Sequence, residues 1–306
     1  DRDVRDRVSA IKLARKWAYK VKGVAEGKAK VIFVAGNFHG RTLSVISAST
    51  DPDSRNGFGP YMRGFEVIPY NDLDALEHAL QDTNVAGFLL EPIQGEAGVN
   101  VPDEGYLLKA YELCKSHHVL FIADEVQTGI ARTGRLLCCD HEAVKPDLLI
   151  LGKALSGGVL PVSAVLGSDE VMLTIRPGEH GSTFGGNPLA CAVAMEALKV
   201  VEDERLADNA KELGKVFRSR MRVLQQKRPD LISLVRGKGL LNAVVINDTE
   251  QSKTAWNICL QMAENGLLAK PTHGNMIRFA PPLVMNESQL NECCSIIEGV
   301  FEGFEK

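Results

Sequence analysis

The sequence predicts an α/β protein: a mostly parallel central sheet with helices on both faces, followed by a smaller α/β domain. Three observations predict this. Short aliphatic or β-branched runs at 31–35, 85–90, 119–123 and 148–151 lack polar alternation, as strands covered on both faces do. Stretches of helical period, such as 73–80 and 106–116, separate these runs, and strands alternating with helices close into a parallel sheet. At 306 residues the chain also exceeds what one hydrophobic core usually fills, so two domains are expected.

The elements follow in order. Residues 8–22 space Val8, Ile11, Ala14, Trp17, Ala18 and Val21 at close to 3.6, which fits an amphipathic helix. The four strand runs come next. Residues 188–204 then read as a long helix with a wide apolar face formed by Ala192, Met195, Ala197, Leu198 and Val201. The domain change is expected near Arg205, giving a large domain over 1–205 and a small one over 206–306. In the small domain, helical patterns at 206–226 and 252–265 flank strand-like 240–246 and 276–279, and a closing helix starts near Asn286.

Composition excludes several classes. A net charge of −4 with scattered basic residues gives no footprint for nucleic acid or an anionic membrane. No uncharged apolar run approaches the roughly 18 residues of a spanning helix. The seven cysteines are an odd number with two adjacent pairs, which reads as reduced thiols in a cytosolic or matrix compartment. The His117 and His118 pair near Cys114 lacks a second cluster at zinc spacing, so no metal is expected.

In a parallel sheet, ligands sit beyond the carboxyl ends of the strands, and the polar residues of this chain concentrate there. Lys153 follows an apolar strand and precedes a turn of small residues. A lysine in a dry site has a lowered pKa and condenses with aldehydes. It is no phosphate-loop lysine, because Asp147 stands where that pattern needs its first glycine. Asp124 ends an apolar run, where a carboxylate needs a cationic partner, and a protonated pyridine nitrogen is one such partner. Phe38 lies in a loop where a planar ring could stack on a cofactor. Residues 181–188 (GSTFGGNP) offer hydroxyls and N–H groups just before a helix, a plausible phosphate cradle. Arg41 and Arg278 could each bind a carboxylate in a fork, with Glu96 neutralising one of them when no substrate anion is present. Singly, each residue has a plainer reading: a snorkelling lysine, a capping aspartate, a core phenylalanine, a capped loop, surface ion pairs. Their joint appearance at strand ends favours a site.

Assembled, these segments resemble the class III, fold type I pyridoxal-phosphate aminotransferases, and within them the ornithine branch. The resemblance runs from about Lys12 to the C-terminus. It rests on 12–17 (KLARKW), 91–98 (EPIQGEAG), 122–129 (IADEVQTG), 151–158 (LGKALSGG), 180–188 (HGSTFGGNP), 270–273 (KPTH) and 277–282 (IRFAPP). The segments around Asp124 and Lys153 are specific to the class; 270–282 and the Ser156 form of the lysine loop point to the ornithine branch.

The resemblance implies a cofactor, pyridoxal 5'-phosphate, bonded to Lys153, with Asp124 on its pyridine nitrogen, Gln127 on its phenolic oxygen and Phe38 stacked on its ring. Ser182 and Thr183 would reach the cofactor phosphate of a neighbouring subunit, which implies a homodimer or higher homo-oligomer. Arg41 and Arg278 would hold the carboxylates of 2-oxoglutarate, and Glu96 would mask Arg278 while ornithine presents its δ-amine. The implied reaction is ping-pong transfer of that amine, yielding glutamate 5-semialdehyde and glutamate, in the mitochondrial matrix or the cytosol.

The chain opens on Asp1 rather than methionine, so a removed leader or a start within a longer protein is expected. Family members carry a segment ahead of Leu13 that includes a glycine-containing loop for the cofactor phosphate. At that place this sequence has 1–6 (DRDVRD), whose carboxylates are expected to repel a phosphate dianion and weaken cofactor retention. Two further readings therefore stand beside the first: a truncated, inactive homologue with a structural or dimerising role, and transamination of acetylornithine or 4-aminobutyrate.

Overall fold

The computed structural model describes residues 2–305, with side chains from residue 6 onward. They group into two compact units. The first runs to Pro92 and includes Pro102–Gly129 and Cys139–Val200; the second takes Ile93–Val101, Ile130–Cys138 and the chain from Val201. The division thus falls at Val200 and Val201 rather than at 205 and 206, and two earlier segments join the second unit.

The first unit is built on six strands: β1 (Lys30–Val34), β2 (Phe65–Ile68), β3 (Val85–Leu90), β4 (Leu120–Asp124), β5 (Leu148–Leu151) and β6 (Ala164–Gly167). Their spatial order is β2-β1-β3-β4-β5-β6. All neighbours are parallel except β5 and β6, which run antiparallel. Every residue of β3 and β4 is buried, as the unbroken apolar runs require of central strands.

Seven α-helices of the described residues belong to this unit: α1 (Arg2–Trp17), α2 (Leu43–Ile46), α3 (Pro52–Arg55), α4 (Leu73–Ala79), α5 (Tyr106–Ser116), α6 (Asp169–Met172) and α7 (Pro188–Asp203), whose last turn enters the second. One face of the sheet packs on α1, where Ala10, Ile11, Leu13, Ala14 and Trp17 meet Val31, Phe33, Leu120, Ile122 and Ile150. The other face packs on α4 and α5 through Leu76, Leu107 and Ala110 against Ile32, Phe88 and Phe121. A side chain at Gly87 of β3 would lie 2.9 Å from Ile122 Cδ1 and 3.5 Å from Ala14 Cβ, so the bare backbone there lets α1 settle on the sheet. Asp72 caps α4 by accepting from the Ala75 N–H at 2.8 Å.

The sequence predicts the first helix over 8–22, yet α1 begins at Arg2 and continues through a π turn at Ala18–Lys22. The charged opening residues have no apolar stripe to announce this helix. Asp1 and the side chains of residues 2–5 lie outside what the structure describes, and so does the repulsion expected of 1–6, apart from Asp6.

The second unit is a four-stranded antiparallel sheet, ordered β7-β8-β10-β9, of β7 (Ile232–Lys238), β8 (Leu241–Ile246), β9 (Lys270–Thr272) and β10 (Met276–Phe279). Helices α8 (Leu206–Lys227), α9 (Thr254–Glu264) and α10 (Glu287–Gly303) cover it, burying Phe217, Met221, Ile258, Met262, Ile297 and Phe301 with Val244 and Ile277. Asn286 and Gln289 form a capping box at the start of α10, so the expected helix start near Asn286 has a local cause.

Candidate active site

The carboxyl ends of β1, β3, β4 and β5 lie side by side, and each hands over to a polar segment. After β1, the buried Asn37 amide donates to Val34 O at 2.7 Å and Ala48 O at 2.9 Å, which shapes the loop carrying Phe38 and His39. After β3 comes Glu91, 2% exposed. Its Oε1 accepts the Phe38 backbone N–H at 2.8 Å, and its Oε2 accepts from Gln127 Nε2 at 3.4 Å, so one carboxylate joins the Phe38 and Gln127 segments.

Asp124 is the last residue of β4 and is 1% exposed. Its Oδ2 accepts from Arg7 Nε at 2.5 Å and from His39 Nδ1 at 2.7 Å; its Oδ1 accepts from Arg7 Nη2 and from the Val126 N–H, each at 3.2 Å. Burial alone would push the Asp124 carboxyl up. The Arg7 guanidinium, together with the His39 hydrogen bond, outweighs that and holds it well below the usual carboxylate range. For His39, burial dominates and lowers the imidazole pKa, with Arg7 acting in the same sense against the pull of Asp124. A neutral His39 donates its Nδ1 proton to Asp124, which leaves Nε2 an acceptor, buried and with no hydrogen-bond partner among the described residues.

Lys153 stands two residues beyond the end of β5, the strand next to that of Asp124; the register sets Asp124 opposite Ile150. It is exposed and has a φ of 45°, in the left-handed region that side chains other than glycine seldom adopt. Gly157, with φ of 61°, ends the 3₁₀ turn Lys153–Ser156 that follows. Ser182 and Thr183 are exposed on the loop before α7. Just ahead of them, His180 is held to α1: its Nε2 lies 2.8 Å from Ser9 Oγ and its Nδ1 2.8 Å from Lys12 Nζ. Arg41 is exposed, 3.8 Å from Asp51, with its guanidinium carbon 5.4 Å from the Phe38 ring centroid.

In the second unit, Arg278 on β10 donates from Nη1 to Glu96 Oε1 at 2.8 Å, so these two residues meet in an ion pair. Arg278 also lines a cavity of about 490 Å³ with Lys270, Asn242, Phe217, Phe279 and Ile297.

Phe38, Asp124, Gln127 and Lys153 therefore all stand at the carboxyl edge of one sheet, and Glu96 with Arg278 forms a pair in the other unit. Three residues of the first cluster, Glu91, His39 and Arg7, are not among those the sequence singles out. Glu91 shows the same signal as Asp124, a carboxylate at the end of an apolar strand. His39 sits in the loop singled out for Phe38. Arg7 has no local signal, because its partner lies 117 positions away.

The chain matches the model of the family described as aminotransferase class-III over residues 7–301. It is 60% identical to the mitochondrial ornithine aminotransferase of Rattus norvegicus over 296 residues, 97% of this chain and 66% of that protein. It thus spans slightly less than two thirds of that relative. The crystal structure of the ornithine aminotransferase from Toxoplasma gondii ME49 superposes with a TM-score of 0.95 at 50% identity, covering 99% of this chain and 71% of that one. That of the acetylornithine aminotransferase from Elizabethkingia anophelis gives 0.89 at 57% identity, covering 99% and 73%. The site's residues and these similarities over nearly its whole length place the chain in the class III aminotransferase family.

Proposed function

We propose that the chain is the core of an ornithine aminotransferase, moving the δ-amino group of L-ornithine to 2-oxoglutarate by a ping-pong route and giving glutamate 5-semialdehyde and glutamate. The observation that carries this reading is the placement of Asp124 and Lys153 at the carboxyl ends of two adjacent parallel strands, a carboxylate and an amine at one edge. The 60% identity to the rat enzyme supports the donor.

Pyridoxal phosphate is the cofactor of the family. It supplies an electron sink that makes the carbon bearing the amine acidic. The donor set here fits it in kind: a buried carboxylate kept anionic for a ring nitrogen, a planar residue at Phe38, an amide at Gln127 and an amine at Lys153. The seat of the ring nitrogen is taken by Arg7, which lies on Asp124. In this reading Lys153 would hold the cofactor and move protons at Nζ, Gln127 would lie toward its phenolic oxygen, and Phe38 would cover its ring. Ser182 and Thr183 hold the phosphate bound to a second copy, so the working unit is a homodimer. Arg41 and Arg278 orient the two carboxylates of 2-oxoglutarate by forked contacts, and Glu96 covers Arg278 during the ornithine half. The rat relative carries the word mitochondrial in its name, and we place this chain in the matrix, with the cytosol as the alternative.

Rates with ornithine, acetylornithine and 4-aminobutyrate as donors test the reading. Ornithine is expected to lead, with Lys153→Ala losing turnover; a faster rate with acetylornithine, the donor favoured by the similarity to the E. anophelis enzyme, would replace the assignment. The Arg7 contact favours a further reading, a homologue that dimerises without turnover. A chain that forms dimers yet turns over none of the three donors after long incubation with the cofactor would establish it.

A further inference from the structure

The acceptor capacity of Asp124 is full. A carboxylate offers about four lone-pair directions, and here they receive Arg7 Nε, Arg7 Nη2, His39 Nδ1 and the Val126 N–H. Arg7 is 3% exposed, so its charge has no water to fall back on. Neither is the contact a chance pose of a surface arginine. Arg7 sits one turn ahead of the buried stripe Ala10, Ile11, Leu13, Ala14 and Trp17, and Ser9 and Lys12 tie the same stretch of helix to His180. The helix is thus anchored where it points Arg7 at the end of β4.

A guanidinium bonded through two nitrogens to a desolvated carboxylate is a strong pair, and replacing one cation by another requires the first to leave. The cation that pyridoxal phosphate would bring to Asp124 is a ring nitrogen, protonated only by virtue of that carboxylate. Two cations on one buried carboxylate would leave a net positive charge in a dry site.

We infer that Arg7 is a built-in counter-ion that competes with the ring nitrogen of pyridoxal phosphate for Asp124, so that the cofactor binds only when the Arg7 side chain withdraws. This rests on the cofactor reading given above. The apparent affinity is then the intrinsic affinity multiplied by the fraction of molecules with Arg7 withdrawn.

Titration of pyridoxal phosphate into the unaltered chain, Arg7→Gln, Arg7→Ala and Arg7→Lys, followed by absorbance and tryptophan fluorescence, tests it. A parallel titration uses a phosphorylated salicylaldehyde of the same shape without the ring nitrogen. Arg7→Gln and Arg7→Ala are expected to bind pyridoxal phosphate at least about tenfold more tightly than the unaltered chain, while Arg7→Lys gains less and the nitrogen-free analogue gains less than about threefold. Equal affinity for pyridoxal phosphate in all four proteins would overturn the inference and leave the proposed function standing. Equal gains for both ligands would overturn it too, by showing that Arg7 obstructs through bulk. No binding by any protein that retains a cooperative thermal transition would overturn the inference together with the cofactor reading.

A second measurement needs no variant. Phenylglyoxal labelling of the unaltered chain, mapped by peptide mass, is expected to reach Arg7 faster when pyridoxal phosphate is bound. Labelling at the same slow rate with and without it would overturn the inference.

Discussion

His39 Nδ1 lies 2.7 Å from Asp124 Oδ2 with both side chains shut away from water, and burial together with the Arg7 charge favours the uncharged ring over the pull of the carboxylate. The sign of the resulting pH dependence follows. Burial places the folded pKa of His39 below the unfolded value near 6.5. Between those values the unfolded chain binds more protons than the folded one, so stability falls as the pH drops below about 6.5. Asp124 shifts downward as well, and its contribution is lost only lower, once the pH falls below about 4. In His39→Asn, the amide can keep the donation to Asp124 while the titration disappears. Urea midpoints between about pH 5 and pH 7 should therefore flatten in the variant, by up to about 1.4 kcal/mol per pH unit. A slope equal to that of the unaltered chain would remove His39 as the cause.

Lys153 adopts φ of 45°, a conformation costing a side chain other than glycine about 1 kcal/mol. Glycine normally weakens a chain relative to alanine by about 0.5 to 1 kcal/mol, yet at this position the order should invert. Lys153→Gly is expected to be at least as stable as Lys153→Ala in thermal unfolding, with both inactive. Strain kept at a residue whose removal improves the fold is what a functional constraint leaves behind. A glycine variant melting several degrees below the alanine variant would place the strain elsewhere.

The sequence discloses the central strands and the residues at their ends for one reason: runs buried on both faces must be apolar throughout, so a carboxylate or an amine after them stands out. That is how Asp124 and Lys153 are legible, and Glu91 carries the same mark. The edges are less legible. β2 contains Glu66, β9 is three residues with Pro271 at its centre, and β6 is four residues of which none is buried, so neither alternation nor hydrophobicity announces them. Unit membership is hidden for another reason. Arg132 donates to Leu240 O at 3.1 Å and Pro281 O at 2.6 Å, and a side chain at Gly239 would meet Thr133 C at 2.4 Å. Backbone contacts of this range bind 130–138 to the second unit and leave no local pattern. Arg7 combines both difficulties, a distant partner and a neighbourhood of alternating charges.

Glu96 and Arg278 pair at 2.8 Å while both remain about a quarter exposed, so the pair is reachable by a competing anion. If Arg278 takes a substrate carboxylate, then Glu96→Gln should make it more available. The KM for 2-oxoglutarate is expected to fall about threefold to tenfold, the scale of one charge-assisted contact, while the ornithine half slows because Arg278 now attracts the ornithine carboxylate. Arg278→Gln should raise the 2-oxoglutarate KM by about tenfold or more. Separate half-reactions followed by stopped flow distinguish these effects, and equal losses in both halves for Glu96→Gln would point to a purely structural pair.

The helix α7 is rich in apolar side chains, yet Ala190 is its only buried residue. Leu189 is 64% and Met195 73% exposed, with Leu198 and Val200 also open, and Phe184 is 61% exposed on the loop that carries Ser182 and Thr183. Exposed apolar surface of this kind is what contact sites between proteins present. The homodimer reading assigns it to a second copy, and that copy would receive the hydroxyls of Ser182 and Thr183. Met195→Glu places a charge on this surface without touching a buried contact of the monomer. The melting temperature of dilute protein should stay within about a degree or two, whereas dimer affinity should fall by roughly tenfold to a hundredfold, read by sedimentation equilibrium. Because the phosphate hydroxyls would come from the partner, cofactor affinity should fall in step with the dimer. A variant that sediments as the unaltered protein does, or a loss of dimer with unchanged cofactor affinity, would separate α7 from the site.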